Sequence, residues 1–398
     1  MSKIEKVIHG DALNILRTFE SNSIDSVCCD PPYGLSKEPD INEVLTKWLA
    51  GEEYDHGHGG FMGKSWDSFV PHPDIWREVY RVLKPGGHAL VFAGTRTQDL
   101  MTVSLRLAGF EVRDVIEWLY FSGFPKSHDV SKAFDRRAGA EREVVGKNPR
   151  INGWKALDNT GETYGTYGKS FEEVSTITTP ATELARKWDG WGTALKPAHE
   201  PIIVVRKPLI DADTGRKLTV SDCVEKYGTG AINIDASRIS TEDETRRTVG
   251  GFTSKSGIYH NDEKYAINTL ETNEPKGRFP ANCITLDSEA YYAKYFDVSS
   301  VANITPQELS KKASKKDRNS DWKGEEIEGN VHPTVKPTDL MAWLVRLVTP
   351  EGGTVLDPFA GSGSTLVAAK REGFGFIGVE LTDEYIPIIE ARAGVTAE

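Results

Sequence analysis

Two short motifs, each directly after an apolar run, constrain the fold of this chain most. The first is DPPYG at residues 30–34, and the second is DPFAGSGS at residues 357–364. In α/β proteins, motifs that follow strands lie at the carboxyl edge of the sheet, where these proteins bind their ligands. The two motifs therefore predict a site to which both ends of the chain contribute.

Seven apolar runs, separated in many places by helical patterns, predict a central sheet. Several are continuously apolar, which is typical of strands covered on both faces. The predicted strands are residues 6–9, 25–30, 88–93, 112–120, 201–206, 354–357 and 375–380. Capping residues and glycines mark predicted helices at residues 74–83, 97–108 and 364–372. This alternation predicts an α/β fold of the doubly wound type.

Composition excludes several classes of protein. The chain has 398 residues and no apolar run of the ~20 residues that cross a bilayer. Residues 1–6 lack the apolar stretch of a signal peptide, so we expect a cytoplasmic protein without a membrane partner. The four cysteines have neither the number nor the spacing of a disulfide framework or a zinc site. We expect Cys28 and Cys29 to be reduced and buried.

The net charge of −11 argues against indiscriminate binding to polyanions. Binding of a nucleic acid then requires a local basic patch, because Lys and Arg neutralise the phosphates. One basic run could form such a patch, and a solvated helix face is an equally good interpretation of it. The run comprises Lys311, Lys312, Lys315, Lys316, Arg318 and Lys323.

The second motif predicts a strand, a glycine-rich turn and a helix around a nucleoside cofactor. Gly361 and Gly363 permit close approach of the backbone to that ligand. Glu380 ends the next predicted strand, where it can accept hydrogen bonds from two ribose hydroxyls. Leu366 occupies the third glycine position of a dinucleotide motif, and no lysine follows to make a phosphate-binding loop. Asp357 suits a cationic amino-acid group better than a pyrophosphate, which favours S-adenosyl-L-methionine.

The first motif has the groups that activate an aromatic amine. The exocyclic amines of adenine and cytosine are poor nucleophiles, because their lone pair is delocalised into the ring. The Asp30 carboxylate and the Pro31 carbonyl can each accept one amine N–H and draw the nitrogen toward tetrahedral geometry. Pro31 and Pro32 stiffen the turn, and Tyr33 offers a stacking face for an extruded base. A plain structural turn is the alternative interpretation of this motif.

On these motifs the chain resembles the β-class DNA amino-methyltransferases. In that family the DPPY motif comes first, a target-recognition region follows, and the cofactor motif comes last. Further matches are HGDAL at residues 9–13, LKPGG at 83–87, GFPKS at 123–127, GTALKP at 192–197 and HPTVKP at 332–337. The resemblance covers residues 1–135, 186–210 and 331–398, and it covers the intervening insertions poorly.

The resemblance implies a Rossmann-like, seven-stranded methyltransferase sheet, mostly parallel with one antiparallel strand. Its motif order is circularly permuted, and a target-recognition region is inserted. The implied segments are the catalytic half at residues 1–135, a polar insertion at 136–185, a core-strand segment at 186–210, the target-recognition region at 211–330 and the S-adenosyl-L-methionine-binding half at 331–398.

The resemblance also implies the residues of the site. Asp11 is expected to contact the adenine of the cofactor, and Lys336 its methionyl carboxylate. The expected catalytic residues are Asp30, Pro31, Pro32 and Tyr33, and the expected cofactor-binding residues are Asp11, Lys336, Asp357, Phe359, Gly361, Ser362, Gly363 and Glu380. No metal site is expected, because no further ligand accompanies His56 and His58.

The implied activity is direct, in-line transfer of a methyl group from S-adenosyl-L-methionine to N6 of a flipped adenine in double-stranded DNA. An Asp at the first position of DPPY resembles the adenine enzymes, whereas Ser is commoner in N4-cytosine enzymes, which are the alternative. RNA methylation and a DNA-binding protein without catalysis are further alternatives. Methylation at C5 of cytosine is excluded, because the chain has no Pro-Cys pair.

Base recognition is expected from the inserted segments, since Arg and Asn side chains read base edges. The candidates are Arg238, Arg246, Arg247, Arg278 and Asn282. The resemblance allows a homodimer and a restriction–modification role. It leaves open the target sequence and any partner endonuclease.

Overall fold

The protein divides into two compact units, the first of Met1–Ser122 with Ala198–Glu398 and the second of Gly123–Pro197. A computed structural model describes residues 3–34, 38–57, 67–120, 127–147, 176–239, 277–286, 296, 313–327 and 329–398. None of the helices in these ranges has the length and apolar character to cross a membrane. The predicted polar insertion at residues 136–185 lies within the second unit.

Ten strands are described, and eight of them form the central sheet of the first unit. Numbered along the chain, they are β1 (Glu5–His9), β2 (Ile24–Cys29), β3 (Leu83–Phe92), β4 (Glu111–Leu119), β5 (Val144–Lys147), β6 (Thr176–Thr178), β7 (His199–Arg206), β8 (Cys283–Thr285), β9 (Thr354–Asp357) and β10 (Gly375–Glu380). The order in the large sheet is β1-β10-β9-β2-β3-β7-β4-β8, while β5 and β6 pair with each other in the second unit.

The sheet confirms the predicted α/β architecture. β7 is antiparallel to β3 and β4, and the other pairs of the described large sheet are parallel. All seven predicted strands are present in it. β8 adds an eighth, three-residue strand beside β4, and it comes from the predicted target-recognition region. The sequence analysis did not predict this strand, because three residues are too few for a periodic pattern.

The strand order explains how the two motifs come to share one edge. β2, from the beginning of the chain, pairs in parallel with β9, from its end, through Ser26 with Val355 and Val27 with Leu356. The DPPYG motif follows β2, and the DPFAGSGS motif begins in the last residue of β9. The permuted motif order therefore places the two motifs on neighbouring strands.

Helices of the first unit cover both faces of the large sheet, and two further helices, α5 and α6 below, belong to the second unit. Three predicted helices are observed within one residue of their expected ends, as α3, α4 and α10 below. The helices are α1 (Ala12–Leu16), α2 (Ile41–Ala50), α3 (Pro73–Val82), α4 (Gln98–Leu107), α5 (Val130–Ala138), α6 (Glu183–Lys187), α7 (Val220–Tyr227), α8 (Lys315–Arg318), α9 (Thr338–Val348), α10 (Ser364–Glu372) and α11 (Ile386–Ala393).

The two buried cysteines show how the sheet separates two layers of core. Cys28 packs in the cluster with α9 and α10, whereas Cys29 packs in the cluster with α3 and α4. Neighbouring residues of a strand point to opposite faces of the sheet. Because helices cover both faces here, both side chains are fully buried. Both cysteines are free of disulfides. Burial raises the pKa of each thiol well above its usual value, which leaves both unreactive.

The beginning of β3 differs from the prediction, which ended a helix at Leu83 and began the strand at residue 88. Pairing of Leu83 with β2 is followed by a register shift and resumes at His88. A shift of this kind accommodates Pro85, which has no N–H to donate to a ladder. Gly86 takes a φ of +76° at the same place. These residues shift the register of the strand and do not end it.

The buried carboxylate of Asp135 on α5 connects described segments of the second unit. It accepts hydrogen bonds from the backbone N–H groups of Ala181 at 3.0 Å and Thr182 at 2.9 Å. It also forms an ion pair with Arg142 at 2.8 Å. These contacts tie α5 to the start of α6 and to the segment before β5, so one carboxylate satisfies the polar groups of two other segments.

Candidate active site

The carboxyl edge of the large sheet gathers the acidic residues predicted from the sequence. Asp30 follows β2, Asp357 ends β9, and Glu380 ends the neighbouring β10. Asp11 follows β1, which is paired with β10. Because β7 is antiparallel, its first residues reach this same edge, and they include Glu200. Ligands of open α/β sheets bind at this edge.

Two side chains from later in the chain hold the DPPYG turn. The buried Asp67 carboxylate accepts the backbone N–H of Tyr33 at 2.8 Å and that of Gly34 at 3.3 Å. The Thr97 hydroxyl donates to the carbonyl oxygen of Tyr33 at 2.6 Å. These bonds fix the backbone that connects Asp30 to the rest of the turn.

Asp30 lies in a network of polar side chains. Its Oδ1 accepts the hydroxyl of Tyr33 at 2.7 Å, and its Oδ2 forms an ion pair with the ammonium of Lys336. The Oε2 of Glu200 lies 3.2 Å from the Tyr33 hydroxyl and 3.5 Å from the Lys336 Nζ. That Nζ also lies 5.0 Å from the ring centre of Phe92. Two carboxylates therefore share two donors, a hydroxyl and an ammonium.

Burial governs the protonation of this network. Burial raises the pKa of the Asp30 carboxyl, and the adjacent Lys336 ammonium opposes that rise. Burial alone would lower the pKa of Lys336, but the negative charges of Asp30 and Glu200 outweigh it and raise that pKa above its usual value. Burial and the same two carboxylates raise the pKa of Tyr33 well above its usual value. Tyr33 and Lys336 therefore both keep their protons at neutral pH and act as donors.

Asp357 is a buried carboxylate that forms no ion pair with any described basic side chain. It is 2% exposed and accepts the backbone N–H of Phe359 at 3.0 Å. Burial is the main cause that raises its pKa to about 7, and a hydrogen bond from Thr365 opposes the rise. A buried carboxylate is stabilised by a cation that enters its site. The α-ammonium of a methionyl group has the charge that fits here.

The glycine-rich turn is tied to Glu380. Its Oε2 accepts the N–H of Gly361 at 2.7 Å, and its Oε1 accepts the N–H of Thr382 at 2.8 Å. Gly361 has a φ of +55° and Gly363 a φ of +79°, a region that glycine adopts without strain. A Cβ on Gly361 would lie 2.9 Å from the Nε2 of His332. The turn therefore requires glycine for its own packing.

Ser362 and Phe359 make contacts within the protein. The buried Arg392 guanidinium donates to the carbonyl of Ser362 at 2.6 Å and to its hydroxyl at 2.8 Å. The other guanidinium nitrogen donates to the carbonyl of Asp317 at 2.8 Å. The ring of Phe359 lies 5.9 Å from that of Trp76. The Ser362 hydroxyl thus helps to hold the turn in its conformation.

The other predicted site residues lie at the ends of β1 and β2. Asp11 is exposed, and its carboxylate begins α1 by accepting the backbone N–H of Asn14 at 3.0 Å. Pro31 is buried and Pro32 is half-buried. Their rings restrict the backbone between the two catalytic candidates on either side.

Glu200, Asp67, Thr97 and Arg392 take part in the site and were not predicted from the sequence. Glu200 precedes an apolar run and has the pattern of an exposed strand end, so only the antiparallel direction of β7 reveals it. Asp67 follows a glycine-rich stretch of sequence that has no recognisable motif. Thr97 was predicted as a helix start, and the same residue also binds the DPPYG turn. Nothing in the local pattern distinguishes Arg392 from a surface arginine.

The described candidates for base recognition contact the protein itself. Arg238 donates to the carboxylate of Asp235 at 2.9 Å, and Asn282 donates to that of Asp114 at 3.1 Å. Arg278 pairs through its backbone with Ile239. The remaining candidates, Arg246 and Arg247, lie outside the described residues.

The basic run at residues 311–323 is used partly inside the protein. Arg318 donates to the carbonyl of His332 at 2.8 Å and to that of Pro333 at 3.2 Å. The Nζ of Lys323 lies 5.1 Å from the ring centre of Trp322. Arg318 therefore stabilises the segment that leads to Lys336. Two further members, Lys311 and Lys312, lie outside the described residues.

The segment that contains His56 and His58 is described only in part. The ring of His56 stacks on that of Phe69 at 5.3 Å, and its Nδ1 lies 3.3 Å from the Tyr54 hydroxyl. His58 lies outside the described residues. Within the described ranges, no three His, Cys, Asp or Glu side chains are grouped as metal ligands.

Known proteins resemble this chain along most of its length. A family model for N6/N4 methyltransferases, described as DNA methylase, matches residues 24–391. The chain is 24% identical to the type II methyltransferase M.HindIII of Haemophilus influenzae, across 98% of this chain and 96% of that protein. It is 38% identical over 96 residues to the type II methyltransferase M2.DpnII of Streptococcus pneumoniae, across 24% of this chain and 31% of that protein.

Solved structures of DNA methyltransferases are more distant. The cytosine-N4-specific PvuII DNA methyltransferase is 14% identical with a TM-score of 0.46, covering 98% of this chain and 86% of that chain. The complex of M1.HpyAVI with SAM is 14% identical with a TM-score of 0.40, covering 98% of this chain and 100% of that chain. The family match confirms the predicted class of enzyme and its cofactor, S-adenosyl-L-methionine. The chain therefore belongs to the N6/N4 family of DNA methylases.

Proposed function

We propose that this DNA methyltransferase acts on the exocyclic N6 of adenine in double-stranded DNA, with the target base extruded from the duplex. The observation that supports the proposal best is the buried network of Asp30, Tyr33 and Lys336 beside the strand that carries Asp357. Such a network suits a reaction that needs an activated amine next to a sulfonium cofactor and needs no covalent enzyme intermediate.

Activation of the amine rests on two acceptors in the DPPYG turn. The Asp30 carboxylate accepts one N–H of the target amine, and the carbonyl of Pro31 accepts the other. The nitrogen then loses conjugation with the ring and directs its lone pair at the methyl group. S-adenosyl-L-methionine, when bound, supplies a methyl group on a sulfonium that transfers in line. Positioning of this kind accounts for a large part of a barrier reduction.

The electrostatics of the network also favour methyl transfer to the amine. Methyl transfer moves positive charge from sulfur to the amine nitrogen. The carboxylates of Asp30 and Glu200 face the single ammonium of Lys336, so the network carries excess negative charge beside the amine. In a water-excluded site this fixed charge stabilises the cationic amine as it forms.

The remaining predicted residues form the proposed cofactor site. Asp357 binds the methionyl ammonium, Lys336 lies near the methionyl carboxylate, Glu380 accepts the ribose hydroxyls, and Asp11 contacts the adenine. The backbone of the turn that contains Phe359, Gly361, Ser362 and Gly363 surrounds the ligand. In the proposed division of the chain, residues 1–135 and 331–398 supply the two halves of the site. Residues 186–210 supply a core strand, and the inserted residues 211–330 recognise the target sequence.

Adenine is preferred over cytosine because the tetrapeptide begins with Asp. The N4 amine of cytosine has the same delocalised lone pair and needs the same two acceptors, so N4-cytosine methylation is the second candidate. The test is mass spectrometry of nucleosides from the DNA of a methylation-deficient host that expresses the chain. N6-methyladenine that depends on Asp30 is the expected result, whereas N4-methylcytosine would keep the mechanism and reject the base assignment.

Replacing Glu380 by alanine is expected to weaken binding of S-adenosyl-L-methionine about ten- to hundredfold. The carboxylate holds Gly361 and Thr382 and is placed for the ribose, and each lost hydrogen bond to a charged group costs about 1.5–3 kcal/mol. Titration calorimetry measures the affinity, and kcat at saturating cofactor should stay near the wild-type value. The control is Glu372→Ala, which removes an ion pair with Arg346 at the other end of α10. Unchanged affinity in Glu380→Ala would remove Glu380 from the cofactor site.

A further inference from the structure

Glu200 shares its partners with the proposed catalytic carboxylate. Tyr33 and Lys336 both bind Asp30, and both also lie within reach of the Oε2 of Glu200, at 3.2 and 3.5 Å. The side chain of Glu200 is 16% exposed and that of Lys336 is 8% exposed, so the cluster is largely closed to solvent. A charged group in such a place carries a desolvation cost that its contacts must offset.

The donors that Asp30 already binds compete with the target amine for its oxygens. Each of its oxygens already accepts one donor, Oδ1 the Tyr33 hydroxyl and Oδ2 the Lys336 ammonium. The proposed reaction needs one of these oxygens to accept an N–H of the target amine. A carboxylate oxygen can accept two hydrogen bonds, so the N–H of the arriving amine shares an oxygen with a donor that is already bound there. The resident bond weakens as the oxygen is shared, and a buried donor without a second acceptor would make this sharing costly.

We propose that Glu200 is a positioning residue that takes over the Tyr33 hydroxyl and the Lys336 ammonium when the target amine binds Asp30. The Tyr33 hydroxyl has one proton, which it can direct to either carboxylate by rotation about its C–O bond. The Lys336 ammonium has three protons and already lies between the two carboxylates. This inference rests on the proposed function, because it assumes that Asp30 accepts the amine.

The groups around Glu200 are consistent with an acceptor role. Asp30, Tyr33 and Lys336 face it from the DPPYG turn and from the segment before α9, and the hydroxyl of Tyr120, after β4, also hydrogen-bonds to it. Glu200 therefore receives donors from three segments that lie at the edge of the sheet. A donor transferred from Asp30 to Glu200 stays inside this network and needs no water to replace the lost bond.

Two substitutions of Glu200 separate charge from shape. Glu200→Gln keeps the length of the side chain but removes the charge that attracts Lys336, whereas Glu200→Asp keeps the charge on a shorter side chain. We expect kcat of Glu200→Gln to fall about ten- to hundredfold, with cofactor affinity within about threefold of wild type. We expect Glu200→Asp to retain more activity than Glu200→Gln. A purely structural role predicts the opposite order, because glutamine matches the shape of glutamate better.

A second readout does not depend on catalysis. In protein with labelled lysine side chains, the Lys336 signal is identified by its loss in Lys336→Arg and followed by NMR during a pH titration. The pKa of Lys336 should be lower in Glu200→Gln than in the wild type, because one of its two carboxylate neighbours has lost its charge. The control is Glu111→Gln, which removes an ion pair with Arg206 at the other end of β7 and should leave both readouts unchanged.

The outcomes distinguish this inference from the proposed function. Wild-type protein that methylates no DNA would reject the proposed function and the role of Glu200 that rests on it. An active wild type with full kcat in Glu200→Gln, or with Glu200→Gln more active than Glu200→Asp, would overturn the inference alone. An unchanged Lys336 titration in Glu200→Gln would also overturn it.

Discussion

Replacing Asp30 by asparagine is expected to lower kcat for methyl transfer about a thousandfold, the scale seen when a charged group is removed from a reacting centre. Asparagine keeps the size of the side chain but loses the charge that stabilises the developing cationic amine. Its amide also presents N–H groups, which compete with those of the target. Cofactor affinity should stay within about threefold, since Asp357 and Glu380 end different strands.

The matched control for Asp30 lies at the other end of the same strand. Asp25 is also buried and also pairs with a lysine, Lys84 at 2.5 Å, and it accepts the backbone N–H of Thr354 at 2.8 Å. Asp25→Asn should lower the free energy of unfolding by about 1–3 kcal/mol and leave kcat unchanged. Single-turnover transfer from labelled cofactor to DNA measures the chemistry, and thermal unfolding measures the stability. Wild-type kcat in Asp30→Asn would remove Asp30 from the reaction, and equal losses in both variants would indicate misfolding.

The strands of the sheet could be predicted because their residues are apolar on both faces. Such runs report directly on burial, as Cys28 and Cys29 show by packing on opposite sides. The start of β3 could not be placed, because Pro85 and the glycines after it have the pattern of a loop. The register shift that accommodates them depends on the partner strand. β8 was missed because its three residues acquire strand geometry only by pairing with β4.

The residues of the candidate site also divide into those that the sequence could predict and those that it could not. Asp30 and Asp357 could be singled out because each follows an apolar strand and begins a motif with its own chemistry. Glu200 could not, since it approaches them only through the reversed direction of β7 and is distant in sequence. The contact of Lys336 with Asp30 is likewise tertiary. The sequence therefore predicts which groups could react, and the fold adds the groups that hold them.

Replacing Asp357 by asparagine gives the second large expected effect. The substitution should raise the stability of the protein and lower its affinity for the cofactor. Its pKa in the folded protein rises from 3.8 to about 7, so as pH increases the unfolded chain loses this proton before the folded protein does. The contribution of Asp357 to the free energy of unfolding therefore falls between about pH 4 and pH 7 and levels off above that. Asp357→Asn removes this cost while its amide oxygen can still accept the N–H of Phe359. The variant should be more stable than wild type by up to about 4 kcal/mol at pH 8, with little difference at pH 4.

The same substitution should weaken the cofactor site, because the ionised carboxylate is the proposed partner of the methionyl ammonium. Wild-type affinity for S-adenosylhomocysteine, which carries the same ammonium, should increase from pH 5.5 to pH 7.5 as Asp357 loses its proton. The range ends there because α-amino groups lose their own proton at about pH 8. In Asp357→Asn the affinity should be at least about tenfold lower at pH 7.5 and nearly independent of pH below it. A variant that gains stability but binds as wild type would show that Asp357 is buried for a reason other than the ammonium. A variant that loses both stability and binding would show that the charged form of Asp357 already has a partner in the folded protein.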